Sequence, residues 1–317
     1  MSLGIVTNKI RRASGHKNTT IDGLPLVHRK GTVYYVDGSK ATSGDGKSWD
    51  GAYNTMASAF AVLEGGETIF LAGKVTEQLT TPVNVFDVHV IGVGNRPRHA
   101  DSSPAGGNTF ASQWSGSGLT AATANVRVIQ QGWKFENILF SMVDANAAGI
   151  EIVRNAASGD SERDGSHCWV AGVKFAGAGI GIRCGVAGTF TEIPNHVVVE
   201  DCEFLQCTHG LLGTIQGANW TIRRNIFRDS TNGIIVPLNS SYIYENIVNG
   251  FTAAGNSGGI DLNGGGGLNV ISKNVLGGTY SEAGGYRKAN ANDVWWGNFT
   301  SVTSGTDLAS INVADPA

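Results

Sequence analysis

The sequence has little charge, little proline and little cysteine. Of 317 residues only 15% are charged, 7 are proline and 4 are cysteine, and the formal net charge is −3. A nucleic-acid partner would require a basic surface, which this charge balance excludes. No apolar run approaches the ~18 residues that a membrane-spanning helix needs, so we expect no membrane segment.

Two further features are missing: a secretion signal and a metal-binding motif. The N-terminal sequence MSLGIVTNKIRRASGHK is basic but has no apolar core of the kind that signals carry. We therefore expect synthesis in the cytoplasm, the alternative being that a signal has been removed. The spacing of the cysteines matches no zinc motif, so we expect buried free thiols, no metal and no cofactor. The cysteines are Cys168, Cys184, Cys202 and Cys207.

The sequence does contain a degenerate six-residue pattern that returns from residue 135 to residue 276. Its first and last positions are apolar in every copy, and successive copies end 35, 29, 23, 21 and 28 residues apart. Strand-like units at irregular intervals, with no helix between them, predict coils stacked into a solenoid. The copies are residues 135–140, 170–175, 199–204, 222–227, 243–248 and 271–276.

The pattern also predicts which side chains face inward. The first and last positions of each copy are expected to point into the stack. The third position from the end is asparagine in the last three copies, at Asn225, Asn246 and Asn274. We expect these amides to form a structural ladder at a corner of the coil, the alternative being a row that binds a ligand.

Other glycine-rich segments are expected to be strand openings or loops. A glycine followed by an aliphatic residue opens a second strand per coil, and we attribute the glycine to a tight bend. Residues 95–125, with a lone Trp114, are interpreted as a long loop. The glycines are Gly149, Gly179, Gly210, Gly233 and Gly259.

Four segments are predicted along the chain. Residues 1–31 form a polar arm without strand or helix period, residues 32–65 an N-terminal cap, residues 66–280 the solenoid, and residues 281–317 a C-terminal cap or tail. Within the cap we expect a strand at 32–37 and a short helix at 54–64 that begins at Asn54 or Thr55.

Two groups of residues in the outer segments are expected to bind partners. The arm carries one acid, Asp22, among many basic residues, which is typical of a docking element. Trp295 and Trp296 either plug the last coil or form an exposed contact patch. The predicted partner-binding residues are Lys9, Arg11, Arg12, Arg29, Lys30, Trp295 and Trp296.

The N-terminal cap resembles that of a known superfamily in residues 34–37 (YYVD), 46–49 (GKSW) and 66–71 (GETIFL). These motifs resemble right-handed parallel β-helices of the pectate-lyase-like superfamily, above all bacteriophage tailspike and virion proteins. The resemblance implies an all-β fold: a single-stranded right-handed parallel β-helix (solenoid) with a short N-terminal capping α-helix. It also implies a homotrimer. It does not fix the function, because this fold carries lyases, hydrolases, binders and structural spikes.

No strong catalytic motif is present. The calcium-binding aspartates and the arginine base of pectate lyases have no counterparts that can be assigned here. The best enzymatic candidates are the carboxylates of Glu200, Asp201, Glu203 and, in the longest insertion, Asp164, because glycoside hydrolysis needs a pair of carboxyl groups. However, the first three alternate with Arg223, Arg224 and Arg228 of the next copy, as expected of a salt-bridge ladder.

We therefore predict a structural component of a bacteriophage virion, of the tailspike, fibre or capsid-decoration type, in preference to an enzyme. Its expected partners are other virion proteins, bound through the arm, further copies of the chain, and a polysaccharide of the host surface. The first alternative is a polysaccharide lyase or glycoside hydrolase. The second is a carbohydrate-binding, adhesin-like solenoid that is secreted or held at the cell surface.

Overall fold

The computed structural model describes residues 32–93, 112–115, 123–142, 144–153, 164–185, 194–213, 216–248, 258–276 and 286–300, and the backbone of three short N-terminal strands. These residues form coils that stack in parallel and contribute strands to three sheets. The prediction of a right-handed parallel β-helix is confirmed. In the described part of the chain, no helix is long and apolar enough to cross a membrane.

The first and second sheets share one strand, Thr68–Val75, and are otherwise separated by a corner in each coil. The first sheet consists of Val33–Asp37, Thr68–Val75, His89–Gly92, Lys134–Glu136, Trp169–Ala171, Val198–Glu200, Thr221–Arg223, Tyr242–Tyr244, Val270–Ser272 and Val294–Trp296. The second continues from Thr68–Val75 through Ser112–Ser115, Leu139–Met142, Lys174–Gly177, Glu203–Leu205, Ile226–Arg228, Ile247–Val248, Val275–Leu276 and Phe299–Thr300.

The third sheet closes each coil. It consists of Leu79–Thr80, Ala124–Val128, Ala148–Ile152, Ile180–Cys184, His209–Gly213, Asn232–Ile235, Ile260–Asp261 and Tyr286–Arg287. Gly217–Ala218 and Leu238–Asn239 form a further parallel pair. Parallel pairing continues through Phe299–Thr300, so the stack extends past residue 280, where the sequence suggested that it ends.

The six-residue pattern turns the corner between the first and second sheets. Its third residue has a positive φ in every copy, for example 54° at Asp201 and at Arg224 and 58° at Glu245. This left-handed conformation is uncommon for residues other than glycine and turns the chain sharply. The inward positions are confirmed, because the first and last residues of every copy are at most 1% exposed.

Aromatic rings from successive coils stack inside the second sheet. Centroid separations fall from 5.7 Å for Trp114 and Phe140 to 4.9 Å for Phe175 and Phe204 and 4.6 Å for Phe204 and Phe227. Trp114 therefore lies in a strand and begins this stack, so the interpretation of 95–125 as one long loop was wrong at Ser112–Ser115 and at residues 124–125, where the strand Ala124–Val128 begins. Its ring was overlooked because no recognisable copy of the pattern surrounds it.

The glycine column of the third sheet has a different role from the one predicted. Register aligns Ile150 with Ile182, so the counterpart of Gly149 is Gly181 and not Gly179. A Cβ at Gly181 would lie 2.5 Å from a ring carbon of Phe204, and one at Gly210 would lie 2.4 Å from Phe227. Glycine is required at these positions because a larger residue would collide with the phenyl stack, and not because the chain bends tightly there.

The predicted asparagine ladder is confirmed and is longer than expected. The Asn225 amide nitrogen donates to Asn246 Oδ1 at 3.0 Å, Asn246 donates to Asn274 at 2.9 Å, and Asn274 donates to Asn298 at 2.9 Å. Asn298 belongs to a seventh copy, residues 295–300 (WWGNFT), which the tryptophan pair concealed. All four side chains are fully buried.

A second polar ladder lies at the opposite end of the first-sheet strands. The backbone nitrogens of Trp220, Ser241 and Asn269 donate in turn to the side chains of Ser241, Asn269 and Asp293, at 2.9–3.0 Å. No sequence repeat predicts this ladder, because three different residue types make the same bond.

The N-terminal segments differ from the prediction in detail. The helix spans Met56–Phe60 only, and Thr55 is confirmed as its N-cap, accepting from the backbone nitrogen of Ser58. Phe60 packs 5.2 Å from Trp133 between ring centroids, and a role in covering the first coil stays a prediction. The arm, expected to lack strands, contains an antiparallel sheet of Arg11–Arg12, Thr19–Ile21 and Leu24–Leu26.

Candidate functional site

The outer face of the first sheet carries Glu200, one of the candidate carboxylates, together with several aromatic residues. Parallel pairing places Glu136, Ala171, Glu200, Arg223 and Tyr244 in one outward-facing row. A second row runs beside it through Lys134, Trp169, Val198, Thr221 and Tyr242. Because residues in a row are one coil apart, neighbouring side chains can bond directly.

Glu200 is the centre of this face and is almost fully buried. Its Oε1 accepts a hydrogen bond from Trp169 Nε1 at 2.8 Å. Its Oε2 accepts from Arg223 Nε at 2.6 Å and from Arg224 at 2.9 Å. Trp169 also contacts Lys134, whose Nζ lies over the indole ring at 4.7 Å from its centroid. Arg223 then donates to the Tyr244 hydroxyl at 2.9 Å, which extends the network to the next coil.

The two other acids of this coil are also paired. Asp201 receives two hydrogen bonds from Arg224, at 3.0 and 2.7 Å, in a bidentate arrangement. The bonds to Asp201 and the charge of the neighbouring Glu200 raise the pKa of the Arg224 guanidinium above its ordinary value. Glu203 lies on the second sheet between Lys174 and Arg228, each 3.3 Å away. The predicted ladder of alternating charge is therefore confirmed for these acids.

Asp164 lies apart from the other candidates, at the opposite end of the first-sheet strands. Its Oδ1 accepts from the backbone nitrogen of Ser166 at 2.8 Å, and its Oδ2 accepts from Gln131 Nε2 at 3.1 Å. These bonds shape a turn and connect it to the neighbouring coil. The rest of its insertion, residues 154–163, lies outside the described residues.

This arrangement is poorly suited to acid–base catalysis. A general acid or base must exchange a proton with substrate, so one of its oxygens must be within reach of the substrate. Both oxygens of Glu200 are occupied by cationic or indole donors, and both oxygens of Asp201 and Glu203 face basic groups. What the network does well is to connect coils in one register, since each pair joins neighbours in the stack.

The face becomes apolar in the last coils. We call Tyr242, Ile247, Val275, Val294, Trp296 and Phe299 the C-terminal apolar patch; each is 39–55% exposed. Register places Ile247, Val275 and Phe299 in one row on the second sheet, and it places Tyr242 and Val294 in a row on the first sheet with Val270 between them. The patch therefore wraps the corner between the first and second sheets over the last coils.

The structure separates the two predicted tryptophans. Trp295 points inward, is 9% exposed and packs edge-on against Tyr286 at 6.2 Å between centroids. Trp296 points outward, with Lys273 Nζ 5.7 Å from its ring centroid. One therefore belongs to the core of the last coil and the other to the apolar patch. Of the predicted arm residues, Arg11 and Arg12 lie in a strand, and Lys9, Arg29 and Lys30 lie outside the described residues.

A charged cluster on the third sheet was missed by sequence reasoning. Glu151 is fully buried, and its carboxylate accepts from Arg127 Nε at 2.6 Å and from Arg183 Nε at 3.1 Å. Arg183 also donates to the carbonyl of Asn146 at 2.8 Å. The signal was present, since an apolar–charged–apolar triplet recurs at residues 126–128, 150–152 and 182–184.

The cysteines and potential metal ligands offer little reactive chemistry. All four thiols are buried and none of them forms a disulfide. Burial raises the pKa of Cys168 and of Cys207 to about 12, and it raises the pKa of Cys184 well above its ordinary value. Within the described ranges, no cluster of three or more histidine, cysteine, aspartate or glutamate side chains could hold a metal ion.

Solved structures that are similar to this chain share little sequence with it. Escherichia coli YbhC is 11% identical, with 84% of this chain and 79% of that chain covered and a TM-score of 0.46. Pectate lyase Pel9A is 14% identical, with 86% and 77% covered and a TM-score of 0.38. ORF18 of Geobacillus virus E2 is 11% identical, with 84% and 61% covered and a TM-score of 0.29. No curated protein matches the sequence.

A family assignment comes from the sequence itself. Residues 138–307 match the family described as periplasmic copper-binding protein (NosD). The match begins within the first copy of the six-residue pattern and includes the last, so it covers the coils that the pattern defines. Because it spans more than half of the sequence, this chain belongs to the NosD family of right-handed β-helix proteins.

Proposed function

We propose that this chain is a structural β-helix of a bacteriophage virion that works by assembly and not by catalysis. The observation that carries the proposal is the C-terminal apolar patch. It lies on a rod whose charged side chains, in the central coils, are already paired with one another. The rod would place the patch at a fixed position and orientation for contact with identical chains or other virion proteins.

The size and composition of the patch support a protein partner. Six half-exposed large side chains, three of them aromatic, present on the order of 500 Å² of apolar surface. That is at the upper end of what monomeric proteins expose. A standard interface buries about 800 Å² per partner, somewhat more than half of it apolar. The patch therefore has about the apolar area of one side of such an interface.

The aliphatic residues favour a protein over a glycan as the occupant. Sugar rings would use the faces of Trp296 and Tyr242, but Ile247, Val275 and Val294 offer a sugar no hydrogen bond. Carbohydrate binding by Trp296 and Tyr242, beside the Tyr244 hydroxyl and Lys273, is the second candidate. It predicts retention on a glycan array that is lost when Trp296 is replaced by serine.

Catalysis and copper binding are less well supported. Polysaccharide hydrolysis would need carboxyl groups that are free to move protons, and those of Glu200, Asp201 and Glu203 are held by basic residues. A closed copper site would need three or four converging ligands. The described residues offer two imidazoles side by side, on His167 and His196, and thiols too deeply buried to ionise readily.

The assembly proposal is tested by mass in solution. Light scattering coupled to size exclusion should give a trimer for the native chain. A Val275→Thr/Phe299→Ser variant should give a monomer with an unchanged β-sheet circular dichroism spectrum. Ile226→Thr is the matched control, because Ile226 lies in the same outward row, in a central coil, and should leave the trimer intact. A native chain that stays monomeric at high micromolar concentration would contradict the proposal.

The virion setting needs a separate test. Particles purified by density gradient from the strain that encodes the chain should contain its peptides, detected by mass spectrometry at a constant ratio to the capsid protein. Peptides found only in the soluble fraction would overturn the virion assignment while leaving the assembly of the isolated chain untouched.

A further inference from the structure

The dipeptide Asn–Gly occurs three times in the sequence, at residues 232–233, 249–250 and 263–264. The second occurrence lies outside the described residues. The first begins a strand of the third sheet, and the last lies in a turn that follows the strand Ile260–Asp261. The same two residues are therefore found in two different environments, and the chemistry open to them differs accordingly.

The turn leaves Asn263 and Gly264 open to solvent and to each other. It is closed by a hydrogen bond from the backbone nitrogen of Gly265 to the carbonyl of Leu262 at 3.0 Å. Gly264 has a φ of 86°, which glycine favours at the third residue of a turn. Both residues are exposed, and a Cβ added at Gly264 would meet nothing nearer than Pro237, at 4.0 Å. Among the described residues, the Gly264 nitrogen and the Asn263 side-chain amide make no hydrogen bond.

The strand holds Asn232 and Gly233 tightly. Asn232 is only 6% exposed, and its side-chain nitrogen donates to the carbonyl of Thr208 at 3.2 Å. The Gly233 nitrogen donates to the carbonyl of Gly258 at 2.7 Å. A Cβ added at Gly233 would lie 2.4 Å from the carbonyl oxygen of Gly259. The Gly233 nitrogen therefore cannot approach the side chain of Asn232 unless the strand pairing breaks.

We propose that Asn263 is a site of spontaneous deamidation in the folded protein, and that Asn232 is protected from it. The Gly264 nitrogen gives up its proton to hydroxide and attacks Cγ of Asn263. A bond forms between that nitrogen and Cγ, the bond from Cγ to Nδ2 breaks, and Nδ2 takes up a proton from water and leaves as ammonia. Water then opens the succinimide ring at either carbonyl and gives aspartate or isoaspartate. The net reaction consumes water and releases ammonia, and nothing is oxidised or reduced.

The reaction changes the charge of the turn. The Asp261 carboxylate accepts from the backbone nitrogen of Asn263 at 2.9 Å, so the new carboxylate arises close to an existing one and repels it. Isoaspartate also adds an atom to the main chain inside the turn. The turn follows a strand of the third sheet, whereas the C-terminal apolar patch lies on the first and second sheets. Deamidation is therefore independent of the assembly proposed above, and either can fail without the other.

The test is incubation of the full, folded chain at mildly alkaline pH, followed by peptide mass spectrometry and by enzymatic methylation of isoaspartate. We expect Asn263 to deamidate at least about tenfold faster than Asn232, which reacts only when its strand opens. In guanidinium chloride the two sites should react at comparable rates, because the chain no longer holds them differently.

Two variants make the test specific. In Asn263→Gln the peptide that contains the turn should stay unmodified, because glutamine must close a larger ring that forms more slowly. Asn292→Gln is the matched control, since Asn292 is also exposed in a turn but is followed by aspartate, and the rate at Asn263 should not change. Equal rates at Asn263 and Asn232 in the folded chain would overturn the proposal. So would an Asn263 that reacts in the unfolded chain and stays intact in the folded one.

Discussion

The central coils, residues 134–228, and the last coils, residues 242–300, place their polar contacts on opposite sides of the coil wall. In the central coils the corner positions inside the stack are apolar, for example Ile138, Val173 and Cys202, and the outer face is ionic. In the last coils the equivalent corners are Asn246, Asn274 and Asn298, and the outer face is apolar. Asn225 and Phe227 mark the junction, where the phenyl stack ends and the amide ladder begins.

The difference shows where each region obtains its register. A coil that slips by one residue would exchange its inner and outer side chains, so some directional contact must oppose slippage. The central coils place those contacts outside, in Glu200, Arg223 and Arg224. The last coils place them inside, in the amide ladder, which leaves their outer face free to be apolar and available for a partner.

The largest effect is expected where the ladder of the last coils is cut. In Asn246→Ala, Asn225 loses the acceptor of two hydrogen bonds, and Asn274 and the Ile222 carbonyl each lose a donor. Each buried group left unpaired costs about 1–3 kcal/mol, so we expect the free energy of unfolding to fall by about 5 kcal/mol. Urea unfolding followed by circular dichroism measures this. Cys202→Ala, at the same position in a central coil, should cost about 1 kcal/mol; equal losses would remove the distinction between the regions.

The phenyl stack is the corresponding inner element of the central coils. Phe204 is fully buried between Phe175 and Phe227, so Phe204→Ala should destabilise the fold by about 4 kcal/mol. Its counterpart in the last coils is Val248, and Val248→Ala should cost about half as much. The same urea titrations compare the two variants. A smaller loss at Phe204 than at Val248 would show that the stacked rings add little beyond their volume.

The ionic outer face should matter less than either inner element. Glu200→Gln keeps the shape of the side chain but removes its charge beside two partly exposed arginines, so we expect a loss of about 1 kcal/mol. Ser272 occupies the same row in the last coils, and Ser272→Ala should be neutral within about 0.5 kcal/mol. Polysaccharide turnover that appears in the native chain and is abolished by Glu200→Gln would instead identify Glu200 as catalytic.

The smallest signal concerns the thiols, all four of which lie in the central coils. Because burial raises the pKa of Cys168 and Cys207 to about 12, they are protonated at pH 8, with thiolate fractions on the order of 10⁻⁴. Ellman's reagent should therefore detect almost no reactive thiol in the native chain and four after denaturation. A rapid reaction in the native state would indicate that the central coils open more readily than their packing implies.

Much of this fold could be predicted from residue order, because equivalent positions of successive coils have the same surroundings and therefore select similar residues. The inward positions and the ladder from Asn225 to Asn274 follow from one pattern of apolar and amide residues. Asn298 was not predicted, because Trp295 and Trp296 suggested a plug for the last coil and not a further copy of the six-residue pattern. Register on the third sheet also escaped, since the glycines at 179 and 181 fit the pattern equally well and only the position of Phe204 distinguishes them.

The residues of the candidate site could be predicted from the sequence, but their chemical role could not. Glu200 and Asp201 stand out in the sequence, yet their chemistry depends on which basic groups reach them, and only stacking brings Arg223 and Arg224 there. Of the C-terminal apolar patch, only Trp296 was predicted from the sequence. Its members are spread over more than 50 residues of the chain, and register brings the distant ones together.

The amide ladder also has a direction. Each asparagine oxygen accepts from the coil before it, beginning with Asn225, which accepts from the backbone nitrogen of Cys202 at 2.9 Å. A coil with an asparagine corner can therefore follow either kind of coil, whereas a coil with an apolar corner cannot follow one whose asparagine nitrogen needs an acceptor. Gene duplication could lengthen this protein at its C-terminal end one coil at a time, but inserting a central-type coil among the last ones would interrupt the chain of bonds. Duplication within either region would therefore be tolerated, and only the placing of a central-type coil after Asn225 would be selected against.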